Sequence, residues 1–417
     1  MQASCFARST KGLLPLIALV STLALASQAG ALTETSLSSP DVRVRLQQLK
    51  NAASISGINL RFTGEPLPAK NQTDFGYKAI RVTWAKVSNG FREWLVTDRD
   101  KGFVLAKVRA RTFEVAGTSL RLNLQSVPDR LMIYPTQRNA ADLIASMNIE
   151  DYVRGVLPAE MPANWPLEAL KAQAVAARTF ALFRKASRER VKAAYDLEAD
   201  VMDQVFLMPL KSGPMTDKND QKRLNVERAV NETRGLLLQD RKAHLFAAYF
   251  HADCGGQTED ARTVWGDAPN TGTAIDGACP ISPHAKWNFA LSSKEITKKL
   301  ISLIYGKSAL MLVSLDPMNR SASGRIQNLK FTWSDGTISV LSAHQFRMAL
   351  GHEQLKSTNF EVSQLENGLF QFSGKGFGHG VGLCQWGSRH LAQNGMGFKD
   401  ILHHYYPKAQ LRSRLLL

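Results

Sequence analysis

The chain has 417 residues, 44% hydrophobic and 21% charged, enough apolar side chain for a packed core and too little charge for wholesale disorder. Lysine and arginine number 52 against 36 acidic residues, a net +16 that calls for a polyanionic partner: nucleic acid, anionic membrane or anionic wall polymer. Four cysteines exclude a disulfide-dense mini-scaffold and a multi-cluster iron–sulfur protein. Residues 1–31 read as a secretory signal peptide. Arg8 and Lys11 precede the apolar run Leu13 to Ala26, and Ala24-Leu25-Ala26 and Ala29-Gly30-Ala31 offer small-residue cleavage sites. The run is short for a membrane span, so membrane contact is expected only through this segment if it stays uncleaved. Cleavage lowers the charge from +16 to +14 and puts the mature chain in the cell envelope, where the wall displaces nucleic acid as the expected polyanion. Cys254, Cys279 and Cys384 remain, enough for one disulfide with a thiol left over or metal-bound.

Residues 32–147 read as mainly β. Val42, Val44 and Leu46 alternate with polar residues, as do Ile80, Val82 and Trp84; further runs are Phe103 to Val108 and Leu120 to Leu124, with a turn at Asp100-Lys101-Gly102. From 148 the pattern changes. Asn148 is placed to cap a short helix through Val156, followed by a Pro-rich loop from Pro158 to Pro166. A strong helix is expected over Leu167 to Lys185, with Leu170, Ala174, Ala177 and Ala181 as a close-packing stripe. Residues 211–223 look like an exposed loop and 224–233 like a basic helix; Leu236–Leu238 and Phe246–Phe250 read as a hairpin. Helices are expected near Glu295–Tyr305 and Gln345–Leu350, with β runs around Leu329 and Val340. The fold class is α+β, a β-rich body with a few helices and a cleft between a helical segment and a Gly-rich β region. The divisions are 1–31, 32–147 and 148–417.

Three stretches carry chemistry. Glu160 sits between Pro158 and Pro162 with Met161 and Trp165 as apolar neighbours; desolvation favours its protonated form, as a general acid requires. His251 and Cys254, three apart at a strand end, form half of a zinc-like site that Cys279 and His284 could complete, and a Cys254–Cys279 disulfide competes with metal on equal terms. In the third stretch, 374–387, alternating glycines let backbone approach a ligand and leave His379, Gln385 and Trp386 as functional side chains, fitting a sugar-binding groove or, failing that, a tight β corner. His404-Tyr405-Tyr406-Pro407 reads as the end of a packed helix.

The run 150–162 (EDYVRGVLPAEMP) continuing through 169–179 (ALKAQAVAART) resembles the signature of the stage II sporulation protein D/LytB family. So do 229–235, the His251–Gly256 block, Ser323-Gly324-Arg325, Lys356-Ser357-Thr358, Gly378–Gly387 and His404–Pro407, in family order over about 148–410. The resemblance implies a peptidoglycan lytic transglycosylase with Glu160 as acid/base, or, in other branches, a non-catalytic wall-binding protein that stimulates a partner amidase. On that reading Arg178, Gln204, His379 and Gln385 are the candidates for binding or orienting the sugar, and the resemblance implies a structural zinc on His251, Cys254 and Cys279. The implied partners are glycan strands and a wall hydrolase, not nucleic acid. Two departures from the family pattern are Phe206, where Tyr is expected, and Cys384, where Ser is common.

Overall fold

The computed structural model describes residues 39–64, 73–74, 79–85, 91–123, 125–137, 140–200, 203–207, 218–266, 272–277, 282–301, 303–304 and 310–413. The signal-peptide expectation and Cys279 lie outside them. The α+β expectation holds.

Alternating apolar residues build an eleven-stranded sheet from the first third of the chain. Its order is Leu197–Glu198, Asp41–Lys50, Ala140–Asn148, Arg130–Gln137, Phe113–Leu122, Ala52–Gly64, Ala79–Ala85, Arg92–Asp98 and Val104–Ala110, with two short strands paired at its side. All pairings are antiparallel except Leu197–Glu198, which runs parallel to Asp41–Lys50. Trp94, Phe113, Ile55 and Ile133 fill its apolar side, and the Trp94 indole N–H donates to the Ala110 carbonyl at 3.1 Å. Val42 and Val44 face a second core shared with the helices.

Helix α1 (Ile149–Glu160) starts where the sheet ends, and Asn148 caps it as expected, its Oδ1 accepting from the Glu150 N–H at 2.9 Å. The helix runs four residues past the expected Val156 and takes Pro158 into its last turn, so Glu160 is helical and not in a loop. What stops it is Pro162, which drives Met161 into extended backbone at φ −140°. Helix α2 (Leu167–Arg190) extends one turn beyond its expected end. Its stripe of Leu170, Ala174, Ala177 and Ala181 packs into the core with α1 and α3 (Lys218–Glu232), while Ala172, Val175 and Ala176 on the other face pack a separate cluster with Ile401, Leu402, Tyr405 and Tyr406. A helix apolar all round is a buried helix. The start of α3 at Lys218 also converts the second half of the expected 211–223 loop into helix.

Of the expected hairpin only the turn forms, with an antiparallel bridge between Gln239 and Leu245 and the Asp240 N–H donating to the His244 carbonyl at 2.9 Å. Leu236–Gln239 pairs instead with Gln410–Ser413 near the C-terminus, and the strand Phe250–His251 pairs in parallel with Leu383–Cys384. Between these lie α4 (Ala261–Trp265) and a subdomain of two three-stranded sheets with α5 (Ser293–Leu300) and α6 (Ala343–Leu350), each helix opened by a Ser–Glu or Ser–Gln capping box. Its own core is built on Phe331, Trp333, Phe346 and Phe372. Helices α7 (Gln385–Gln393) and α8 (Phe398–Tyr405) follow, and the aromatic pair at 405–406 does end a packed helix. No helix among the described residues is long and apolar enough to cross a membrane.

Inside this framework Arg178 of α2 is 1% exposed and meets Glu150 of α1, with Nη2 donating to Oε2 at 2.7 Å and Nε to Oε1 at 3.0 Å. Arg178 Nη1 donates to the Leu236 carbonyl at 3.3 Å, and the Gly235 N–H donates to Glu150 Oε1 at 3.3 Å. The pair therefore ties two helices to the strand at 236. Arg178→Met, which leaves the Glu150 carboxylate buried and uncompensated, is expected to cost about 3–5 kcal/mol in chemical denaturation; a loss below about 1 kcal/mol would mean that the pair behaves as a solvated surface bridge.

Candidate active site and thiol–imidazole cluster

Glu160 occupies the last position of α1, where the helix dipole disfavours an anion. Its Oε1 accepts from the Val205 N–H at 2.7 Å. Burial raises its pKa, and the Val205 N–H and the Gln385 amide pull the other way without reversing the shift. The segment 203–207 that supplies Val205 lies against α1 because position 155 is glycine: the Leu207 N–H donates to the Gly155 carbonyl at 3.1 Å, and a Cβ there would sit 2.3 Å from the Phe206 ring. Phe206 stacks on Tyr152 with ring centroids 5.5 Å apart, so the missing hydroxyl relative to tyrosine falls at a buried stacking position.

Two expected sugar ligands are elsewhere. Arg178 is enclosed with Glu150 and cannot reach a ligand. Gln204 is fully buried, accepting from the Tyr152 hydroxyl at 3.0 Å and donating to the Ala177 carbonyl at 3.4 Å, so its role is to anchor the segment that holds Glu160. Gln385 does stand beside Glu160, and the next residue, Trp386, packs edge-on against Trp165 at 4.9 Å. The Arg389 guanidinium covers both indoles, at 5.2 and 4.9 Å from their ring centres.

The parallel pairing of Phe250–His251 with Leu383–Cys384 leads from Gln385 to a second set of rings. His379 packs edge-on to Trp265 at 5.0 Å and to Tyr249 at 5.7 Å, and those two rings stack at 4.2 Å. Its Nδ1 accepts from the Val381 N–H at 3.0 Å, which puts the ring proton on Nε2. Burial and then the neighbouring His251 hold it neutral, its pKa well below the ordinary histidine value. Gly380 and Gly382 make this packing possible. At φ +84° and +72° they take backbone that L side chains avoid, and a Cβ would meet the Arg325 guanidinium and the Tyr249 carbonyl respectively.

His251, Cys254 and Cys384 offer three donor atoms within 4.8 Å of one another, all buried. The third member among the described residues is Cys384; the expected Cys279 lies outside them. It is not His284, which packs on the edge of Phe377. Cys384 is N-cap of α7, its Sγ accepting from the Gly387 and Cys254 N–H groups at 3.3 Å each, the position where serine would cap. Helix N-termini and N–H donors favour thiolate. The His251 Nδ1–H donates to the Val381 carbonyl at 3.1 Å, leaving Nε2 as the lone-pair nitrogen, the second-shell arrangement of metal-binding histidines. Two thiols and an imidazole so oriented fit zinc. Asp276 lies 3.5 Å from Cys254 Sγ and accepts from the Tyr405 hydroxyl at 2.6 Å. Cys384 was hidden in the sequence because 130 residues separate it from Cys254, and only the parallel pairing brings them together.

The family model for stage II sporulation protein matches residues 137–239, and a domain of unknown function, DUF8618, matches 281–382. An uncharacterized protein of Brachyspira hyodysenteriae is 37% identical over 269 residues, 63% of this chain and 66% of that protein. Stage II sporulation protein D of Bacillus subtilis is 30% identical over 284 residues, 66% of this chain and 78% of that protein. The amidase enhancer of Bacillus subtilis is 27% identical over 306 residues, 63% of this chain and 40% of that protein.

The raised pKa of Glu160 predicts a pH effect on stability. The folded chain holds this proton more tightly than the unfolded one, so the contribution is complete below the ordinary value of 4.5 and is lost as pH rises through the raised value. Glu160→Gln removes that loss. In melting experiments the variant is expected to gain stability relative to wild type as pH rises from the ordinary value of 4.5 through the raised one; an offset independent of pH would contradict it.

Proposed function

Because the chain belongs to the stage II sporulation protein D family, we propose that it works at the cell wall as an exported lytic transglycosylase, cutting the bond between N-acetylmuramic acid and N-acetylglucosamine with Glu160 as acid and base. The observation that carries this reading is a carboxyl group whose pKa burial raises, at the end of a rigid helix, beside Gln385 and, next along the chain from it, the Trp165–Trp386 pair.

The chemistry needs one carboxyl group. As acid, Glu160 gives its proton to the glycosidic oxygen as the C1–O bond breaks through an oxocarbenium-like transition state. The resulting carboxylate, held by the Val205 N–H, then takes the proton of the muramoyl C6 hydroxyl while that oxygen bonds to C1. The proton lost is regained, a 1,6-anhydro ring forms, and no water is consumed. Asp203, the nearby acid, is committed to Arg184 at 2.7 Å. Gln385 orients the carboxyl group, and His379 with its Nε2–H offers a neutral donor to the sugar.

Zinc on His251, Cys254 and Cys384 has a structural role in this reading: it fastens the strand at 250–251 to the start of α7, which bears Gln385. Cys279 remains the sequence's candidate for a further donor. The amidase enhancer relationship favours one second reading, that of a wall-binding protein stimulating an amidase.

Digestion of purified sacculi with the full chain, followed by mass spectrometry, is expected to release 1,6-anhydromuramoyl products, with Glu160→Gln lowering the yield by about 10²–10⁴-fold. Sacculus binding and amidase stimulation without anhydro products would replace this reading by the second. Elemental analysis is expected to find about one zinc per chain, lost in Cys254→Ser and Cys384→Ser; full retention in both variants would remove the metal from the account.

A further inference from the structure

A cavity of about 220 Å³ is walled on one side by Tyr249, Phe250 and Trp265 and on the other by helix α6 of the 281–382 region, and Asp203, two residues before the Val205 that holds Glu160, also lines it. Phe250 pairs with Leu383, two residues before Gln385, so the cavity and the acid share one strand pair. On α6 the side chains at 344, 347 and 348 point one way, into the cavity, while Ala343, Phe346 and Leu350 point into the subdomain core.

Arg347 is the unusual member. It is 7% exposed, and its Nε donates to the carbonyls of Leu355 and Lys356 at 3.0 and 3.1 Å, which fixes the plane of the guanidinium. Among the described residues no carboxylate lies within ion-pair distance of it. Burial, with Arg325 nearby, lowers its pKa to about 10. The acids that line this cavity and the smaller one beside it are already engaged: Asp203 with Arg184, and Glu259 with the hydroxyls of Ser321 and Ser323. The other ionisable side chains there are His344 and His379, both held toward neutrality by burial, and Arg325, whose Nη groups are spent on the carbonyls of Gln257 and Cys254 and on Ser323. Glu353 offsets part of the Arg347 charge without forming an ion pair with it. A buried cation with no carboxylate bonded to it is costly, and it is retained where a ligand supplies the anion.

We infer that this cavity is a carboxylate-binding subsite of the glycan groove, in which Arg347 receives the carboxylate through its Nη edge and the Trp265–Tyr249 stack carries the sugar ring that bears it. This assigns a role to the 281–382 region: it supplies the specificity wall opposite the catalytic acid. The inference rests on the glycan-binding reading above. Two wall carboxylates share the required chemistry, the lactyl group of peptide-free N-acetylmuramic acid and the free carboxylates of a stem peptide.

The test is equilibrium binding, which does not depend on cleavage, with the Glu160→Gln chain as background so that ligands stay intact. Three probes of equal saccharide length are compared: peptide-free muramoyl glycan, peptide-bearing muramoyl glycan and neutral chito-oligosaccharide. One or both muramoyl probes are expected to bind more tightly than the neutral one. Adding Arg347→Met is expected to reduce that preference by about 10- to 100-fold, and Arg347→Lys to restore part of it. The arm that loses affinity identifies the source: the peptide-free probe means the lactyl group, the peptide-bearing probe the stem. Met348→Glu, an exposed cavity position without a packing role, guards against a folding defect and is expected to lower the same preference by charge repulsion. Muramoyl and neutral probes binding equally, or a preference unmoved by both Arg347→Met and Met348→Glu, overturns the subsite. Failure of anhydro-product formation by wild type overturns the transglycosylase reading without touching this result.

Discussion

From Ala172 to Leu182 helix α2 is packed on every side, leaving nowhere for a charge to reach water, yet Arg178 lies in that stretch. Glu150 answers that charge, and the answer is geometric as much as electrostatic. The fork of Arg178 holds the first turn of α1 at a fixed height along α2 and secures the strand at 236 in the same network. Ten residues further along α1, the rigid rod ends at Glu160. The direction in which the acid points is thus set by an ion pair at the opposite end of the helix.

From that anchor the groove is assembled by contacts between distant parts of the chain. Gly155 lets the segment at 203–207 lie flat on α1, Gln204 pins it, and Val205 presents its N–H to the acid. The parallel pair at 250–251 and 383–384 brings Gln385 to the same place from the other side. Helix dipole and burial act together on Glu160, toward the neutral form that a proton donor needs, and the opposing hydrogen bonds from Val205 and Gln385 do not reverse the shift.

Local signals were legible and non-local ones were not. The Asn148 cap, the body of α2, the alternating strands and the helix end at Tyr405–Tyr406 each depend on residues within a few positions, and each is found. The 236–250 hairpin stops at its turn, the Gln239–Leu245 bridge, because both apolar runs have better partners more than a hundred residues away. Arg178 and Gln204 were read as ligands because a polar residue inside a motif gives no hint whether its partner is a sugar or another side chain. Cys384 and Arg347 carried no spacing cue at all; one needed the strand pairing and the other an entire subdomain to acquire meaning. Glu160 was readable because its two flanking prolines and apolar neighbours are adjacent in sequence, although Pro158 turned out to sit within the helix.

The strand pair at 250–251 and 383–384 has one more consequence. The chain leaves the sporulation-protein body near Cys254 and comes back at Cys384, and the two sulfurs end within a few ångströms of each other. An excursion that starts and finishes at the same point makes little mechanical demand on what lies between, provided the intervening stretch packs its own core, as the Phe331–Phe346–Phe372 subdomain does. The body behaves as a socket. What is mounted across it presents a wall of its own, while the acid stays where the helices hold it.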